Sequence, residues 1–235
     1  MKIFRDKEVT VGFSDAGDGD LSFYNMDSAT VESAWNSLEA TREMAIALPT
    51  YANQVHRDNI LTVAAETPCF LAGEADGLIT GLTGRPIGVF SADCLPLIIF
   101  SEVATAAIHA GWRSTCLNIG QKAVEKFTTG FAVSPQSLKA FIGPCIGQCC
   151  LEMGEEVLNQ FLDADRQWAR FFVKKDKWHL DLRSLNRWQL LQAGIPEGSI
   201  VDFDRCTFCH EKDYFSFRRQ KKRNGSMFSF VVRHK

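Results

Sequence analysis

The sequence predicts an α+β fold, a single domain of mixed β-sheets flanked by helices that spans residues 1–235. Three observations lead to this prediction. Short apolar runs of strand length are separated by tight turns, amphipathic segments with helical spacing lie between them, and neither a low-complexity linker nor an internal repeat interrupts the chain. With 46% hydrophobic residues, the chain is long enough to bury a substantial core.

The first third of the chain predicts several strands and one helix. Apolar residues recur at helical spacing from Thr30 to Leu48, and Pro49 ends this helix. The predicted strands, short apolar runs bounded by polar residues or glycine, are Glu8–Phe13, Leu21–Tyr24, Tyr51–Val55, Ile60–Ala64 and the end of Glu74–Thr80.

A central hairpin follows, with buried strands at Pro96–Phe100 and Ala104–Ile108. If Ser101 and Glu102 form a two-residue loop, Cys94 pairs with His109. The two side chains then lie on one face of an antiparallel pair, roughly 5 Å apart at Cβ. This placement suits two ligands of one metal ion or a thiol beside its base.

The remaining chain predicts three helices, the first of which ends near Gly130 and the last near Gly194. The helices cover Leu117–Phe127, Met153–Leu162 and Leu182–Leu191. The strands cover Leu138–Ile142, Trp178–Leu182, Ser199–Phe203, Tyr214–Arg218 and Met227–Arg233.

Charge, composition and sequence pattern favour a cytoplasmic protein. The formal net charge is −2 and 23% of residues are charged, which argues against a nucleic-acid or membrane surface. The basic run at 218–223 is predicted to be a solvated turn. No segment has the pattern of a signal peptide or a membrane span, so the eight cysteines are expected to be reduced. Oligomeric state is not predicted.

Cys94, His109 and His56 form the most informative constellation. One thiolate and two imidazoles suit Zn²⁺, and three protein ligands leave a fourth position open, as in catalytic zinc sites. Zinc would make an activated water available at neutral pH. The alternative is a metal-free cysteine hydrolase with Cys94 as nucleophile and His109 as base. Residue spacing does not decide between the two.

Cys206, Cys209 and His210 resemble half of a zinc knuckle. No second cysteine pair at knuckle spacing follows, so Cys206 and Cys209 are predicted to be packing residues or free thiols. A non-enzymatic zinc module built on this motif is the competing interpretation. Cys149 and Cys150 lie in a loop whose glycines, at 143 and 147, are typical of tight turns near a ligand.

The order and identity of the motifs resemble the YfiH family, also called the laccase-domain or "polyphenol oxidase" family. The matching segments run from residue 53 to about 232: NQVH (53–56), ADGLIT (75–80), ADCLP (92–96), HAGWR (109–113), IGPCIG (142–147), CC (149–150) with Glu152, LDL (180–182) with Asn186 and QL (189–190), CT (206–207) and FSFRR (215–219).

The resemblance implies an α+β fold and one metal site formed by His56, Cys94 and His109. It also implies phosphorolysis of adenosine, inosine, guanosine and methylthioadenosine, together with deamination of adenosine. Zinc is the expected metal and copper is the disfavoured alternative, because a multicopper oxidase needs several His-x-His pairs and this chain has none. A cell-wall peptide precursor amidase that uses the same site is a further alternative.

Other residues are predicted to act around this site. Arg113 is assigned to phosphate or transition-state charge because a guanidinium fork suits phosphate oxygens, a structural salt bridge being the alternative. Gln54 and Asp93, which flank ligands and could also orient them, are assigned to substrate binding. Asp76 and Arg218 are also assigned to substrate binding, although Asp76 could instead cap a turn.

One segment departs from the family pattern. The family has GFSTRxGG near its amino terminus, whereas this chain has GFSDAGDGD from Gly12 to Asp20. Asp15 and its acidic neighbours follow GFS where the family has an arginine suited to an anion. The effect on phosphate affinity is left open.

Overall fold

The computed structural model describes residues 1–23, 26–222 and 225–234, and it confirms the predicted α+β class. The strands are β1 (Lys2–Asp6), β2 (Val9–Phe13), β3 (Thr50–Asn53), β4 (Ile60–Thr62), β5 (Phe70–Glu74), β6 (Gly77–Thr80), β7 (Ile87–Ser91), β8 (Leu95–Phe100), β9 (Thr105–Ala110), β10 (Lys139–Ile142), β11 (Glu152–Met153), β12 (Phe172–Lys174), β13 (Trp178–Leu180), β14 (Ile200–Asp202) and β15 (Met227–Arg233). The α-helices are α1 (Ser28–Ser37), α2 (Glu39–Glu43), α3 (Trp112–Cys116), α4 (Ile119–Phe131), α5 (Glu155–Ala164), α6 (Leu182–Gln192) and α7 (Phe217–Gln220).

Two six-stranded mixed sheets form the centre of the fold. The first sheet has the order β1-β2-β15-β7-β3-β5 and the second has the order β14-β10-β8-β9-β6-β4. A small three-stranded sheet, β11-β13-β12, lies beside them. In the second sheet, β8 and β9 pair antiparallel along their whole length, whereas β4 pairs parallel with β6 and β14 with β10.

Apolar side chains fill the space between the two sheets and cover both outer faces. Strand β8 shows this alternation, because Ile98 belongs to the core between the sheets while Leu97 belongs to the core that also contains residues of α4 and α6. The outer face of the first sheet packs on α1 through Trp35, which is fully buried against Phe228 and Phe230. A strand buried on both faces has a continuous apolar sequence, which explains the LPLIIF run of β8.

The predicted hairpin exists, but its predicted register is wrong by two residues. Phe100 pairs with Thr105 and Pro96 pairs with His109, because the loop has four residues rather than two. The Ser101 hydroxyl accepts the N–H groups of Val103 and Ala104, both at 3.1 Å, and closes this longer loop. A shift of two residues keeps each side chain on its face, so the conclusion that Cys94 and His109 face the same side survives.

Two predicted elements are also wrong. The helix expected over Thr30–Leu48 stops after Ser37, because the Thr41 hydroxyl donates to the carbonyl oxygens of Trp35 and Leu38 and a separate short helix begins. The strand expected at Tyr214–Arg218 is a loop followed by α7, which the Ser216 side chain caps. In addition, the described part of the predicted strand Leu21–Tyr24 is not a strand, and the basic run at 218–223, predicted to be a turn, begins within α7; each segment also extends into residues outside those described.

No helix among the described residues combines the length and apolar character needed to cross a membrane.

Candidate metal centre

Three connections between the two sheets position the predicted site. The chain passes from the first sheet to the second between β3 and β4, between β5 and β6, and between β7 and β8. These connections carry His56, Asp76 and Cys94, respectively. Strand β9 runs antiparallel to β8 and so delivers His109 to the end of the sheet where β8 begins. The fold therefore gathers residues separated by more than fifty positions at one end of the sandwich.

The three predicted ligands converge. One ligand atom from each of His56, Cys94 and His109 lies within 4.8 Å of the others, and Cys94 Sγ is 4.0 Å from His56 Nε2. A nitrogen and a sulfur bound to one tetrahedral zinc stand about 3.6 Å apart, given the usual bond lengths. The two rings meet edge to face at 88° with centroids 4.8 Å apart. The donor set and its spacing fit a zinc ion with one open position.

Gly111 makes room for this convergence. A Cβ at this position would lie 3.1 Å from Cys94 Sγ and 3.4 Å from His56 Cδ2. Its backbone φ is −67°, so the glycine is required by space rather than by conformation. The glycine of the predicted HAGWR motif thus keeps the centre of the three ligands free of side-chain atoms.

Asp76 hydrogen-bonds to the loop of His56 and to the ring of His109. Its fully buried carboxylate accepts the N–H groups of Val55, His56 and Arg57 at 2.7–3.2 Å, and it lies 2.8 Å from His109 Nδ1. Burial opposes ionisation, but the bonds from His109 and the loop amides lower the pKa of the carboxyl group. The prediction that Asp76 touches substrate conflicts with this geometry. Asp76 instead fixes the His56 loop and directs His109 Nε2 toward Cys94.

Cys94 and His109 form a polarised pair. Burial favours the neutral thiol, yet the charge of His109 and hydrogen bonds from both histidines lower the pKa of Cys94. Burial likewise disfavours the imidazolium, but Cys94 and Asp76 together raise the pKa of His109. Both shifts favour the thiolate of Cys94 and the imidazolium of His109, and a metal bound here would take the place of the imidazolium proton.

The polar groups of Asp93 and Gln54 bond to neighbouring protein groups and do not point freely into the cavity. Asp93 adopts φ 107°, a conformation unfavourable for a non-glycine residue, and its carboxylate accepts Thr207 Oγ1 at 2.6 Å and the Arg218 N–H at 2.7 Å. Gln54 exchanges two hydrogen bonds with the backbone of Phe90, at 2.7 and 2.9 Å. Both side chains line the cavity, and both have their main polar groups engaged in orienting the loops around the ligands.

A cavity of about 490 Å³ opens above the three ligands. Arg113, Arg218, Trp112 and Phe217 contribute to its wall, and its size falls in the range of small-molecule sites. The Arg113 guanidinium stacks 4.1 Å over the Trp112 ring and forms no ion pair within the described part of the chain. Arg218 donates to the carbonyl oxygen of Glu152. Two cations thus stand at the wall of an otherwise largely apolar cavity.

The structure also places a second group of potential ligands that the sequence prediction missed. The sulfur atoms of Cys149, Cys150, Cys206 and Cys209 all lie within 4.8 Å of one another. No second pair follows Cys206 and Cys209 at knuckle spacing, but the fold brings an earlier pair beside them. The partner pair consists of adjacent cysteines some sixty positions earlier, a spacing that no knuckle pattern describes.

Residues 6–234 match the family described as multi-copper polyphenol oxidoreductase laccase. A protein of Shigella flexneri named purine nucleoside phosphorylase YfiH is 33% identical over 186 residues, which cover 78% of this chain and 73% of that protein. A purine nucleoside phosphorylase of Clostridium acetobutylicum is 31% identical over 234 residues, covering 98% and 94%. A prokaryotic protein named adenosine deaminase RL5 is 36% identical over 163 residues, covering 67% and 62%.

A solved structure shows the same architecture. The crystal structure of the Bacillus licheniformis hypothetical protein YfiH superposes with a TM-score of 0.86 at 26% identity, covering 97% of this chain and 93% of that one. Sequence, fold and the convergence of His56, Cys94 and His109 agree, and the chain belongs to the YfiH family of laccase-like domains.

Proposed function

We propose that this chain is a zinc-dependent purine nucleoside enzyme, which phosphorolyses adenosine, inosine, guanosine and methylthioadenosine and also deaminates adenosine. The names of the relatives support this proposal. The observation that carries it is the convergence of His56, Cys94 and His109 at the base of a cavity whose wall holds two arginines.

The zinc ion would be bound by His56, Cys94 and His109. Neighbouring polar groups, Asp76 above all, would orient these ligands. A bound zinc ion supplies a Lewis acid and an activated water at neutral pH. Asp76 keeps the Nδ1 proton on His109, so that Nε2 presents its lone pair to the site. Because Asp76 also holds the backbone of His56, two of the three ligands depend on one carboxylate.

Arg113 is the residue proposed to bind phosphate. Its side chain is exposed at the cavity wall, and stacking on Trp112 fixes the plane of its guanidinium. A planar fork of donors binds two phosphate oxygens at once. In the reaction, a phosphate oxygen bonds to C1′ of the ribose while the bond from C1′ to the purine nitrogen breaks and the base leaves with a proton. Arg113 would hold the attacking phosphate in place.

The departure at the amino-terminal motif fits this assignment. Among the described residues, none from 15 to 20 lines the cavity, and Asp15 caps a short turn by accepting the Gly17 N–H. Phosphate binding therefore falls to Arg113 and Arg218. Phe217, with 54% of its surface exposed beside Arg218, is available to stack on the purine ring.

The test separates the two reactions by their need for phosphate. Zinc-loaded protein is incubated with adenosine, with and without phosphate, and the products are separated by chromatography. We expect adenine and ribose 1-phosphate only with phosphate, and inosine under both conditions, part of it cleaved further to hypoxanthine when phosphate is present. Arg113→Gln should raise the KM for phosphate and leave inosine formation without phosphate unchanged, with Arg57→Gln, which does not line this cavity, as the control. Fully zinc-loaded protein that forms neither adenine nor inosine would overturn the proposal.

One observation favours a second candidate, a metal-free cysteine hydrolase. Asp76, His109 and Cys94 form a carboxylate–imidazole–thiol series like that of cysteine nucleophiles. The same series is also what a zinc site requires, because metal-bound histidines are commonly oriented by a carboxylate. His56 distinguishes the two, since a nucleophile and its base need no second imidazole beside the sulfur.

A further inference from the structure

The four cysteines described above form a compact cluster at the surface, which we call the thiol cluster (Cys149, Cys150, Cys206 and Cys209). Neighbouring sulfur atoms are 3.4 to 3.7 Å apart, and no pair is bonded as a disulfide. The cluster is separate from the cavity above His56, Cys94 and His109, because none of its four residues lines that cavity.

The spacing matches one tetrahedral metal ion. Four sulfurs at about 2.3 Å from a zinc ion stand about 3.8 Å apart. Each member of the thiol cluster lies within 4.8 Å of the other three, so the sulfurs surround one point instead of forming two separate pairs. A multi-iron cluster places irons and sulfide between its cysteines and would hold the cysteine sulfurs further apart.

A backbone amide donates a hydrogen bond to one sulfur of the thiol cluster. The Gly147 N–H donates to Cys206 Sγ at 3.2 Å. A Cβ on Gly147 would meet Cys206 Cβ at 3.2 Å and Cys149 Sγ at 3.3 Å, so the glycine lets this amide approach the sulfurs without crowding them. Hydrogen bonds from backbone amides to ligand sulfurs stabilise the charged form and orient it.

The neighbouring histidine, His210, is not a member of the thiol cluster. His210 Nδ1 lies 2.9 Å from the Cys206 carbonyl oxygen, and the His210 N–H donates to the same oxygen at 3.1 Å. His210 thus closes the turn between Cys206 and Cys209. The donor set is four sulfurs, which selects zinc over harder cations and over ions that prefer imidazole or carboxylate.

We propose that the thiol cluster binds one structural zinc ion, in addition to the zinc at His56, Cys94 and His109. This ion joins two loops that reach the candidate active site. The loop of Cys149 and Cys150 includes Ile146, whose N–H donates to the Asp93 carbonyl oxygen at 2.9 Å. The loop of Cys206 and Cys209 includes Thr207, whose hydroxyl donates to the Asp93 carboxylate. The second zinc would therefore fix the two loops that hydrogen-bond to Asp93, the residue before Cys94.

The test counts metal ions per chain and identifies their ligands. Wild-type protein, Cys94→Ala, the double variant Cys206→Ser/Cys209→Ser and the control Cys69→Ser are purified under reducing conditions with zinc in the medium. Zinc is then measured by inductively coupled plasma mass spectrometry. We expect two zinc ions per chain in the wild type and in Cys69→Ser, and one in each of the other two proteins. Cys69 is an exposed free cysteine outside both ligand groups, so its loss should change nothing.

A spectroscopic measurement keeps the proposal testable if the double variant does not fold. Cobalt is added to the metal-free Cys94→Ala protein, in which the thiol cluster is the remaining candidate site among the described residues. We expect intense thiolate-to-cobalt charge-transfer absorption and the visible bands of tetrahedral cobalt bound to four sulfurs, both removed by added zinc. Absence of these bands, a wild-type zinc content that the Cys206→Ser/Cys209→Ser variant retains in full, iron in place of zinc, or a disulfide within the cluster by mass spectrometry would each overturn the proposal. None of these readouts depends on nucleoside turnover.

Discussion

Asp76→Asn is the substitution that most directly tests how the candidate metal centre is built. The change conserves shape but replaces one carboxylate oxygen by an NH₂ group, which cannot accept a hydrogen bond. In one orientation this group faces the Val55 and Arg57 amides, and in the other it faces the His56 amide and His109 Nδ1. Each buried N–H left without an acceptor costs about 1–3 kcal/mol. A domain of this kind is stable by about 5–15 kcal/mol, so the variant should fold.

The loss should appear mainly in metal affinity, because removing a hydrogen-bond partner of a metal ligand typically lowers that affinity by about 10–100-fold. The assay is competition for zinc between protein and a chromophoric chelator, with urea unfolding followed by tryptophan fluorescence. Asp58→Asn is the matched control, because this acid lies in the same loop but forms a partly exposed ion pair with Lys122, worth at most about 1 kcal/mol. An Asp76→Asn protein that binds zinc as tightly as the wild type would refute the proposed role of the carboxylate.

Three further predictions concern the ligands and the core. Gly111→Ala should lower zinc content and nucleoside turnover without unfolding the protein, because its Cβ would press on Cys94 Sγ at 3.1 Å. The control is Gly130→Ala, whose Cβ meets nothing within 4 Å and which should leave zinc content and turnover unchanged. Cys94→Ala should lose one zinc ion and all turnover, and a chelator should abolish wild-type turnover. Trp35→Phe should lower the free energy of unfolding by about 1 kcal/mol or more, measured with urea, because the indole N–H donates to the buried Ile46 carbonyl oxygen.

Each of these expectations has a contrary outcome. Full zinc content and turnover in Gly111→Ala would mean that the three ligands have space to spare. Turnover that persists after exhaustive chelation, but is abolished by one equivalent of iodoacetamide on Cys94, would favour the cysteine hydrolase over the zinc enzyme. An unchanged unfolding midpoint and slope for Trp35→Phe would show that the hydrogen bond contributes nothing net to stability.

In the central hairpin, the local sequence pattern predicted the positions of the strands but not their register. Apolar runs and polar punctuation correctly placed β8 and β9, and strand periodicity correctly put Cys94 and His109 on the same side. The register was out of reach because it depends on a serine hydroxyl that closes a four-residue loop. The predicted strand over Tyr214–Arg218 failed for a similar reason, since Ser216 caps a helix whose first turn donates to Asp93.

Asp76 illustrates a role that sequence position does not reveal. Its motif indicated a functional residue, but only the crossing between the sheets shows that the carboxylate is fully buried and bonded to the His56 amide and the His109 ring. Arg113 differs from Asp76, because it lies at the cavity wall as the sequence led us to expect. Its stacking on Trp112 was not predicted. Burial and orientation are properties of the packed chain, and residue identity specifies neither.

The sequence by itself determined the fold class, the extents of most strands and helices, the family and one group of three residues that could hold a metal ion. These follow from periodicity and from motifs, which are properties of neighbouring residues. Only the tertiary structure decided that Cys149 and Cys150 meet Cys206 and Cys209, through a parallel bridge between Cys145 and Cys206. The physical reason is that contacts between distant segments depend on how the sheets and loops pack together, and residue spacing along the chain does not record that packing.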